Sequence, residues 1–88
     1  MPRIRLSHRF TKAYHQLPPA VQARIDKALR LLADNPRHPS LQSKPIEGVK
    51  GIYEARVDQR HRITYERLPG DDLHIRAVGP HDEALKKP

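Results

Sequence analysis

The chain has 88 residues, with 17 Lys and Arg against 10 Asp and Glu, so its formal net charge is +7. This length predicts a single domain, residues 1–88, without room for a large cofactor beside a separate substrate domain. The absence of Cys excludes disulfides, thiol catalysis and zinc sites built on Cys. No apolar run reaches the roughly 18–20 residues that span a bilayer. Since residues 1–5 also lack the apolar run of a signal peptide, we expect a cytoplasmic protein with no membrane partner.

The excess of basic charge lies in the first half of the chain. Residues 1–44 hold nine basic and two acidic residues, whereas residues 45–88 hold eight of each. Basic proteins attract nucleic acids because binding to the phosphates releases counterions. A solvated helical face that aids solubility gives the same pattern, so the charge alone does not specify a partner.

The first half predicts a short strand followed by a helical hairpin. Residues 3–6 alternate between Arg and an apolar residue, which is typical of a strand with one buried face. Ser7 is a good N-cap for a first helix. Pro18 and Pro19 end that helix and can begin a second one, which should stop near Pro36. Each helix carries one apolar stripe. The stripes consist of Phe10, Ala13, Tyr14 and Leu17 in the first helix, and of Val21, Ile25, Ala28, Leu29 and Leu32 in the second.

The second half predicts a loop followed by three strands. Residues 35–51 contain five prolines and glycines and predict a long ordered loop. Apolar and polar residues then alternate in three runs, separated by turns at 58–61 and 69–72. The apolar positions of these runs are Tyr53, Ala55, Val57, Ile63, Tyr65, Leu73, Ile75 and Ala77. The runs predict an antiparallel meander with one apolar face, and residues 81–88 form a short tail.

We therefore predict an α+β domain, in which an N-terminal strand and a helical hairpin pack on one face of a small antiparallel β-sheet. The first strand should pair at an edge of the sheet or beside the last strand. The other face of the sheet should stay open to solvent. It should carry Arg56, Arg62 and Arg76, with Glu54, Glu66 and His74 among them.

Three stretches, in this order and at this length, resemble the RelE/ParE superfamily of type II toxin–antitoxin toxins. Residues 46–54, IEGVKGIYE, are similar to the family's Leu-Gly-Tyr lead into its second strand. The pair YEARV and HRITY, residues 53–57 and 61–65, is similar to its hairpin, in which Arg precedes an apolar-x-Tyr run. Residues 77–82, AVGPHD, resemble the Gly-x-His end of the last strand in YafQ-like members. The closest likeness is to the histidine-bearing RelE/YafQ-like mRNA interferases.

This resemblance implies a RelE-like fold and a toxin that cleaves mRNA, usually in the ribosomal A site, without a cofactor or a metal. A cognate antitoxin would hold the toxin inactive. By position, Arg56 and Arg62 would bind the scissile phosphate, and His81 would be the main acid–base residue. Lys44 or Lys50 would lie near a loop position where related toxins supply a further polar or basic contact.

The chemistry of RNA cleavage agrees with these residue types. Without a metal, the reaction needs a base for the 2′-OH, cations for the phosphorane charge and an acid for the leaving 5′ oxygen. Histidine, with an unperturbed pKa of about 6.5, suits either proton role, and the planar donors of arginine suit phosphate oxygens. We also assign His61, at a hairpin end, and Arg76, on the open face, to RNA contacts.

Other interpretations of the same residues stay open. Arg56 and Arg62 could form a cross-strand salt-bridge ladder with Glu54 and Glu66, and His81 could be a helix-start or turn residue. For the whole protein, the alternatives to a ribosome-dependent mRNA endonuclease are a ParE-like DNA gyrase inhibitor, which acts through a protein contact, and a catalytically inactive antitoxin-binding module.

Overall fold

Two helices from the first half of the chain pack against a sheet formed mainly by the second half. The computed structural model describes residues 3–88, and within this range there are five strands and three α-helices. The strands are β1 (Ile4–Leu6), β2 (Lys44–Pro45), β3 (Ile52–Arg56), β4 (His61–Arg67) and β5 (Leu73–Pro80). The helices are α1 (His8–His15), α2 (Pro19–Asp34) and α3 (His81–Lys86).

The predicted helical hairpin is confirmed. The hydroxyl of Ser7 accepts a hydrogen bond from the Phe10 N–H at 3.0 Å, which satisfies one of the free N–H groups in the first turn of α1. α2 begins at Pro19, a position where the missing N–H of proline has no helical partner to lose. The Tyr14 hydroxyl donates to Asp26 Oδ1 at 2.8 Å, which ties the helices together and raises the pKa of that hydroxyl.

The sheet has the strand order β1-β5-β4-β3-β2. Strands β3, β4 and β5 form the predicted antiparallel meander. β1 lies beside the last strand and at an edge of the sheet, and it runs parallel to β5 with Leu6 opposite Ile75. β2 pairs antiparallel with β3 at the other edge, inside the stretch that the sequence predicted as loop.

A register shift between Thr64 and Tyr65 changes which residues of β5 point toward the helices. Tyr65 pairs with Ile75, whereas Thr64 pairs with Ala77, so Arg76 is the extra residue of a β-bulge. Cross-strand partners share a face, and Ala77 therefore lies with Thr64 on the side away from α1 and α2. The prediction that Ala77 continues the apolar face of Ile75 is wrong, because strict alternation does not reveal a bulge.

The core lies between the helix pair and the sheet face that we call the inner face. Its large, fully buried apolar residues are Phe10, Ile25, Leu32, Leu41, Ile63, Tyr65, Leu73 and Ile75. All of them except Leu41 occupy apolar positions of the predicted helices and strands. Leu41 ends a short 3₁₀ helix, Pro39–Leu41, within the predicted loop. Burying a large apolar side chain stabilises a fold by about 1.5–3 kcal/mol, so the inner face supplies most of the hydrophobic stabilisation.

The opposite side of the sheet, the outer face, is partly covered by α3. This helix contacts β4 and β5 and buries Ala84 against them. Glu54 and Thr64, which pair in register on this face, are 6% and 0% exposed. The prediction that the outer face stays open to solvent is therefore wrong for its central part. The reason is that residues 81–86 form a helix instead of a loose tail.

Candidate active site

The turn between β3 and β4 meets the junction between β5 and α3 at one end of the sheet. The strand register places Arg62 opposite Gly79, two residues before His81. The backbone N–H of His81 donates to the Arg60 carbonyl at 2.7 Å, which holds the start of α3 beside the turn. The fold thus brings Arg62 and His81, predicted to share a site, to the same end of the sheet.

Gly79, the register partner of Arg62, has no side chain and leaves open space at its position on the strand. A Cβ atom added at this position would meet no atom within 4 Å. Because cross-strand partners face the same side, this space adjoins Arg62 on the outer face. A ligand can therefore enter where a side chain would otherwise project.

The Arg62 guanidinium is half-buried and is oriented by the turn. Its Nη1 donates to the Asp58 carbonyl at 2.6 Å and to the His61 carbonyl at 3.0 Å. Within residues 3–88, its Nε and Nη2 have no protein acceptor. These N–H groups form one edge of the planar fork that suits phosphate oxygens. The contacts to the turn thus fix the cation and leave part of it for a ligand.

His81 opens onto a pocket of about 440 Å³ that Lys44, Glu54 and Leu85 also line. Its side chain is 48% exposed, and its Nδ1 lies 3.3 Å from Asp82 Oδ1. The pairing of β2 with β3 sets Lys44 beside Glu54. The pocket therefore combines an accessible imidazole with an ammonium group and two carboxylates, those of the buried Glu54 and the exposed Glu47.

Arg56 contributes to a different pocket. It is the register partner of Arg62, but it lines a pocket of about 590 Å³ that it shares with His61. The structure thus groups His81 with Lys44 in one pocket and Arg56 with His61 in another.

Asp58 organises the turn that lines this second pocket. Its Oδ1 accepts hydrogen bonds from the N–H groups of Arg60 and His61, both at 2.8 Å. His61 Nδ1 lies 3.0 Å from Oδ1 and 3.2 Å from Oδ2. Partial burial raises the pKa of Asp58, but the hydrogen bonds from the His61 ring and the two N–H groups outweigh it and lower the pKa to about 2. The carboxylate is thus ionised at neutral pH and holds the imidazole in place.

The cross-strand ladder that was the alternative for Arg56 and Arg62 is not formed within residues 3–88. Glu66 pairs instead with Arg76, whose Nη1 lies 3.3 Å from Oε1. Arg76 also donates through Nε to the Pro88 carbonyl at 3.0 Å, so its guanidinium is largely engaged in holding the end of the chain on the outer face.

Lys50, the other predicted loop contact, is exposed in the turn between β2 and β3 and does not line the His81 pocket. Sequence reasoning missed Arg24 and Arg60, which line the second pocket with Arg56. Arg24 lies on α2 and Arg60 in the turn, so no spacing along the chain relates them. Asp58 had a usable signal, since an Asp at the start of a turn often accepts bonds from the N–H groups that follow.

The described residues can thus perform acid–base chemistry through imidazole and bind anions through guanidinium groups. Between residues 3 and 88, no three His, Asp or Glu side chains are grouped as metal ligands. None of the helices in this range is long and apolar enough to cross a membrane.

Solved structures of bacterial and archaeal toxins share this fold. The RelE–RelB complex from Pyrococcus horikoshii OT3 is similar with a TM-score of 0.76 and 23% identity, covering 94% of this chain and 98% of that chain. The YoeB/ParE toxin from Agrobacterium tumefaciens has a TM-score of 0.76 and 17% identity, covering 90% of this chain and 98% of that chain. The E. coli DinJ–YafQ complex has a TM-score of 0.71 and 20% identity, covering 94% of this chain and 97% of that chain. No curated protein matches the sequence. The fold class is thus that of small RelE-like toxins, as predicted.

The sequence itself defines the family. The family model described as "ParE toxin of type II toxin-antitoxin system, parDE" matches residues 4–85. The chain therefore belongs to this family and is a type II toxin–antitoxin toxin of the RelE/ParE superfamily. The resemblance drawn from the three sequence stretches is confirmed at this level.

Proposed function

We propose that this toxin is a metal-independent endoribonuclease that cleaves mRNA in the ribosomal A site and so inhibits translation. The observation that carries the proposal is the register of Arg62 with Gly79, two residues before His81. Arg62, a cation held by the turn, lies opposite the open position of Gly79, and the half-exposed imidazole of His81 follows at the same end of the sheet. These are the residue types that phosphodiester cleavage requires.

In the proposed reaction the 2′ oxygen attacks the adjacent phosphorus and the bond from phosphorus to the 5′ oxygen breaks. The products are a 2′,3′-cyclic phosphate and a free 5′-hydroxyl. His81 has the main acid–base role: its Nδ1 faces Asp82, and its Nε2 is left to accept the proton of the 2′-OH. Lys44 lines the same pocket and supplies a cation and a proton at the leaving oxygen.

The arginines have the electrostatic role. Arg62 stabilises the phosphorane through Nε and Nη2, which are held in place before the substrate arrives. Arg56, its cross-strand partner, binds the RNA from the second pocket together with His61. Lys50 and Arg76 are proposed as further RNA contacts, and both stay predictions.

The proposal includes a cognate antitoxin that holds the toxin inactive. It is supported by the similar structures from P. horikoshii and E. coli, which were solved as RelE–RelB and DinJ–YafQ complexes. The nine basic and two acidic residues of positions 1–44 suit an acidic partner. A pull-down from the native host with the His81→Ala protein should recover a small acidic protein, and its absence would count against the antitoxin.

Inhibition of DNA gyrase through a protein contact is the second candidate function. The matched family is described as ParE toxin, which favours it. The nearly buried carboxylate of Glu54 in the His81 pocket also favours it, because a negative charge repels a phosphate. This mechanism needs no acid–base residue.

The test is genome-wide mapping of mRNA 5′ ends after induced expression. The wild type is compared with His81→Ala and with the control His8→Ala, which removes an exposed histidine from α1. We expect new in-frame 5′ ends inside coding regions for the wild type and the control, and their loss in His81→Ala.

Other outcomes assign the function differently. New ends that persist in His81→Ala would move the acid–base role to another residue, such as Lys44 or His61. Growth arrest without new ends, but with stabilised gyrase–DNA cleavage complexes, would establish the gyrase mechanism. The absence of both arrest and cleavage would leave an inactive antitoxin-binding module.

A further inference from the structure

We propose that a basic groove between α2 and the β3–β4 turn binds the phosphodiester backbone of the RNA strand that leaves the cleavage site. This inference rests on the proposed nuclease function and extends it to residues outside the reacting centre. The groove consists of two adjoining pockets, of about 590 and 150 Å³, that share Arg24 and Arg56. Arg60 lines the larger pocket and Lys27 the smaller one. We call these four residues the α2 groove.

The charge of the α2 groove is not neutralised by the protein. Its lining holds four cations and one carboxylate, that of Asp58. That carboxylate already accepts bonds from two backbone N–H groups and from the His61 ring, so its lone pairs are nearly all used. Within residues 3–88, the guanidinium groups of Arg56 and Arg60 have no ion-pair partner. An anion that enters the groove therefore meets cations whose donors are free.

Two of the cations stand on a rigid element. Arg24 and Lys27 are three residues apart on α2, so they project from the same side of the helix. The Arg24 side chain is 57% exposed and lies 3.4 Å from Asp58 Oδ2, the geometry of a weak surface ion pair. A phosphate can bind this guanidinium in place of Asp58 at little cost, because the existing ion pair contributes little to the stability of the fold.

The α2 groove is continuous with the proposed active site. The Arg60 carbonyl accepts the N–H of His81 at 2.7 Å, and Arg56 lies opposite Arg62 across β3 and β4. A strand whose scissile phosphate lies at Arg62 can thus continue around the turn into the groove. Guanidinium forks pair with phosphate and carboxylate oxygens alike, so it is this continuity with the proposed active site that favours an RNA backbone over an acidic protein as the ligand.

The test measures how salt weakens RNA binding. A fluorescent 2′-O-methyl RNA oligonucleotide lacks the attacking hydroxyl and so stays intact, and its affinity is measured by anisotropy across a range of KCl concentrations. Arg24→Gln/Arg60→Gln is compared with Arg9→Gln/Arg30→Gln, which removes the same charge from exposed residues outside the α2 groove.

We expect the Arg24→Gln/Arg60→Gln variant to bind the RNA about tenfold more weakly. The slope of log Kd against log salt should fall by about 1.4, since each phosphate contact of a single strand contributes roughly 0.7. The control pair should leave the slope unchanged. In the wild type, the backbone amide signals of Arg60 and His61 should shift on titration with the same oligonucleotide.

Equal slopes for the two pairs, or unmoved Arg60 and His61 signals, would overturn the proposal. The proposal would also be overturned if the Arg24→Gln/Arg60→Gln variant lost affinity for the antitoxin but kept its affinity for RNA, because the surface would then recognise a protein. If the slope changes as expected but the wild type produces no new mRNA 5′ ends in cells, the groove stands and the proposed nuclease function fails. If the wild type produces new mRNA 5′ ends but the slope does not change, only the groove is rejected.

Discussion

The inner and outer faces of the sheet are covered by helices of very different size. The inner face packs on α1 and α2, and its residues Ile63, Tyr65 and Ile75 are fully buried. The outer face is crossed by α3, which has six residues, and it buries the carboxylate of Glu54 and the hydroxyl of Thr64. Apolar contacts therefore dominate one face, and polar groups near solvent dominate the other.

The two faces therefore differ in role: the inner face stabilises the fold, and the outer face carries polar groups near the candidate site. Within residues 3–88, no fully buried side-chain nitrogen or oxygen lacks a hydrogen-bond partner, and the Thr64 hydroxyl of the outer face donates to the Pro88 carbonyl at 3.2 Å. The cations and the histidine of the candidate site lie at the thinly covered end, where a ligand can reach them. Substitutions on the two sides should accordingly have different effects.

The largest effect is expected at Ile75. Ile75 and Leu6 are register partners on β5 and β1, but Ile75 is 0% exposed and Leu6 is 49% exposed. Ile75→Ala should lower the free energy of unfolding by about 3–4 kcal/mol, whereas Leu6→Ala should lower it by less than about 1 kcal/mol. Urea unfolding measures both. Equal losses would contradict the conclusion that stability comes from the buried centre of the inner face and not from its exposed edge.

The next largest effect is expected at Asp58, at the polar end of the sheet. Its pKa is about 2 in the folded protein against 3.8 ordinarily, so its contribution is present above about pH 4 and is lost as the pH falls toward 2. Asp58→Asn should lower the free energy of unfolding at pH 7 by about 2 kcal/mol. Unfolding measured between pH 2 and pH 7 should show a smaller acid loss in the variant than in the wild type. Parallel curves would show that the carboxylate is not the group responsible.

A smaller effect is expected at Ser7, which joins α1 to the sheet. Its hydroxyl accepts from the Phe10 N–H and donates to the Arg76 carbonyl at 2.8 Å. Ser7→Ala should reduce the free energy of unfolding by about 1 kcal/mol, a typical value for the loss of an N-cap. Thermal unfolding against Ser40→Ala, an exposed serine, is the measurement. No difference between the two would show that the cap is dispensable.

The smallest stability effect is expected at Arg24. Its only ion pair, among the described residues, is the exposed contact with Asp58. Arg24→Gln should change the free energy of unfolding by no more than about 0.5 kcal/mol, as for other surface pairs. Chemical denaturation checks this value. A loss of several times that size would mean that Arg24 holds the fold together and is not available to a ligand.

The periodic elements of the chain were predictable from the sequence. α1 and α2 have apolar stripes that repeat every three or four residues, and residues 53–57 and 62–66 alternate between apolar and polar types. The helical hairpin and the meander followed from these patterns, and β1 was expected at an edge of the sheet or beside the last strand. They were predictable because a long amphipathic pattern can bury its apolar side in only one way.

The short elements were not predictable. α3 has six residues, and only Ala84 is buried, so its sequence shows no period of its own. A helix of this length is not stable alone and forms because it packs on β4 and β5. β2 has two residues, Lys44 and Pro45, and exists through its pairing with β3. The bulge at Arg76 has no local signal either, which is why Ala77 was assigned to the wrong face.

The sequence by itself determined the residue types of the candidate site and the end of the sheet where Arg62 and His81 meet. It did so because strand parity and turn position depend on neighbouring residues alone. Only the tertiary structure decided that Glu54 is buried, that Lys44 joins His81 and that Arg56 turns to α2 with Arg24. Those placements depend on which distant element covers a strand, and contacts between elements far apart in the chain leave no local pattern.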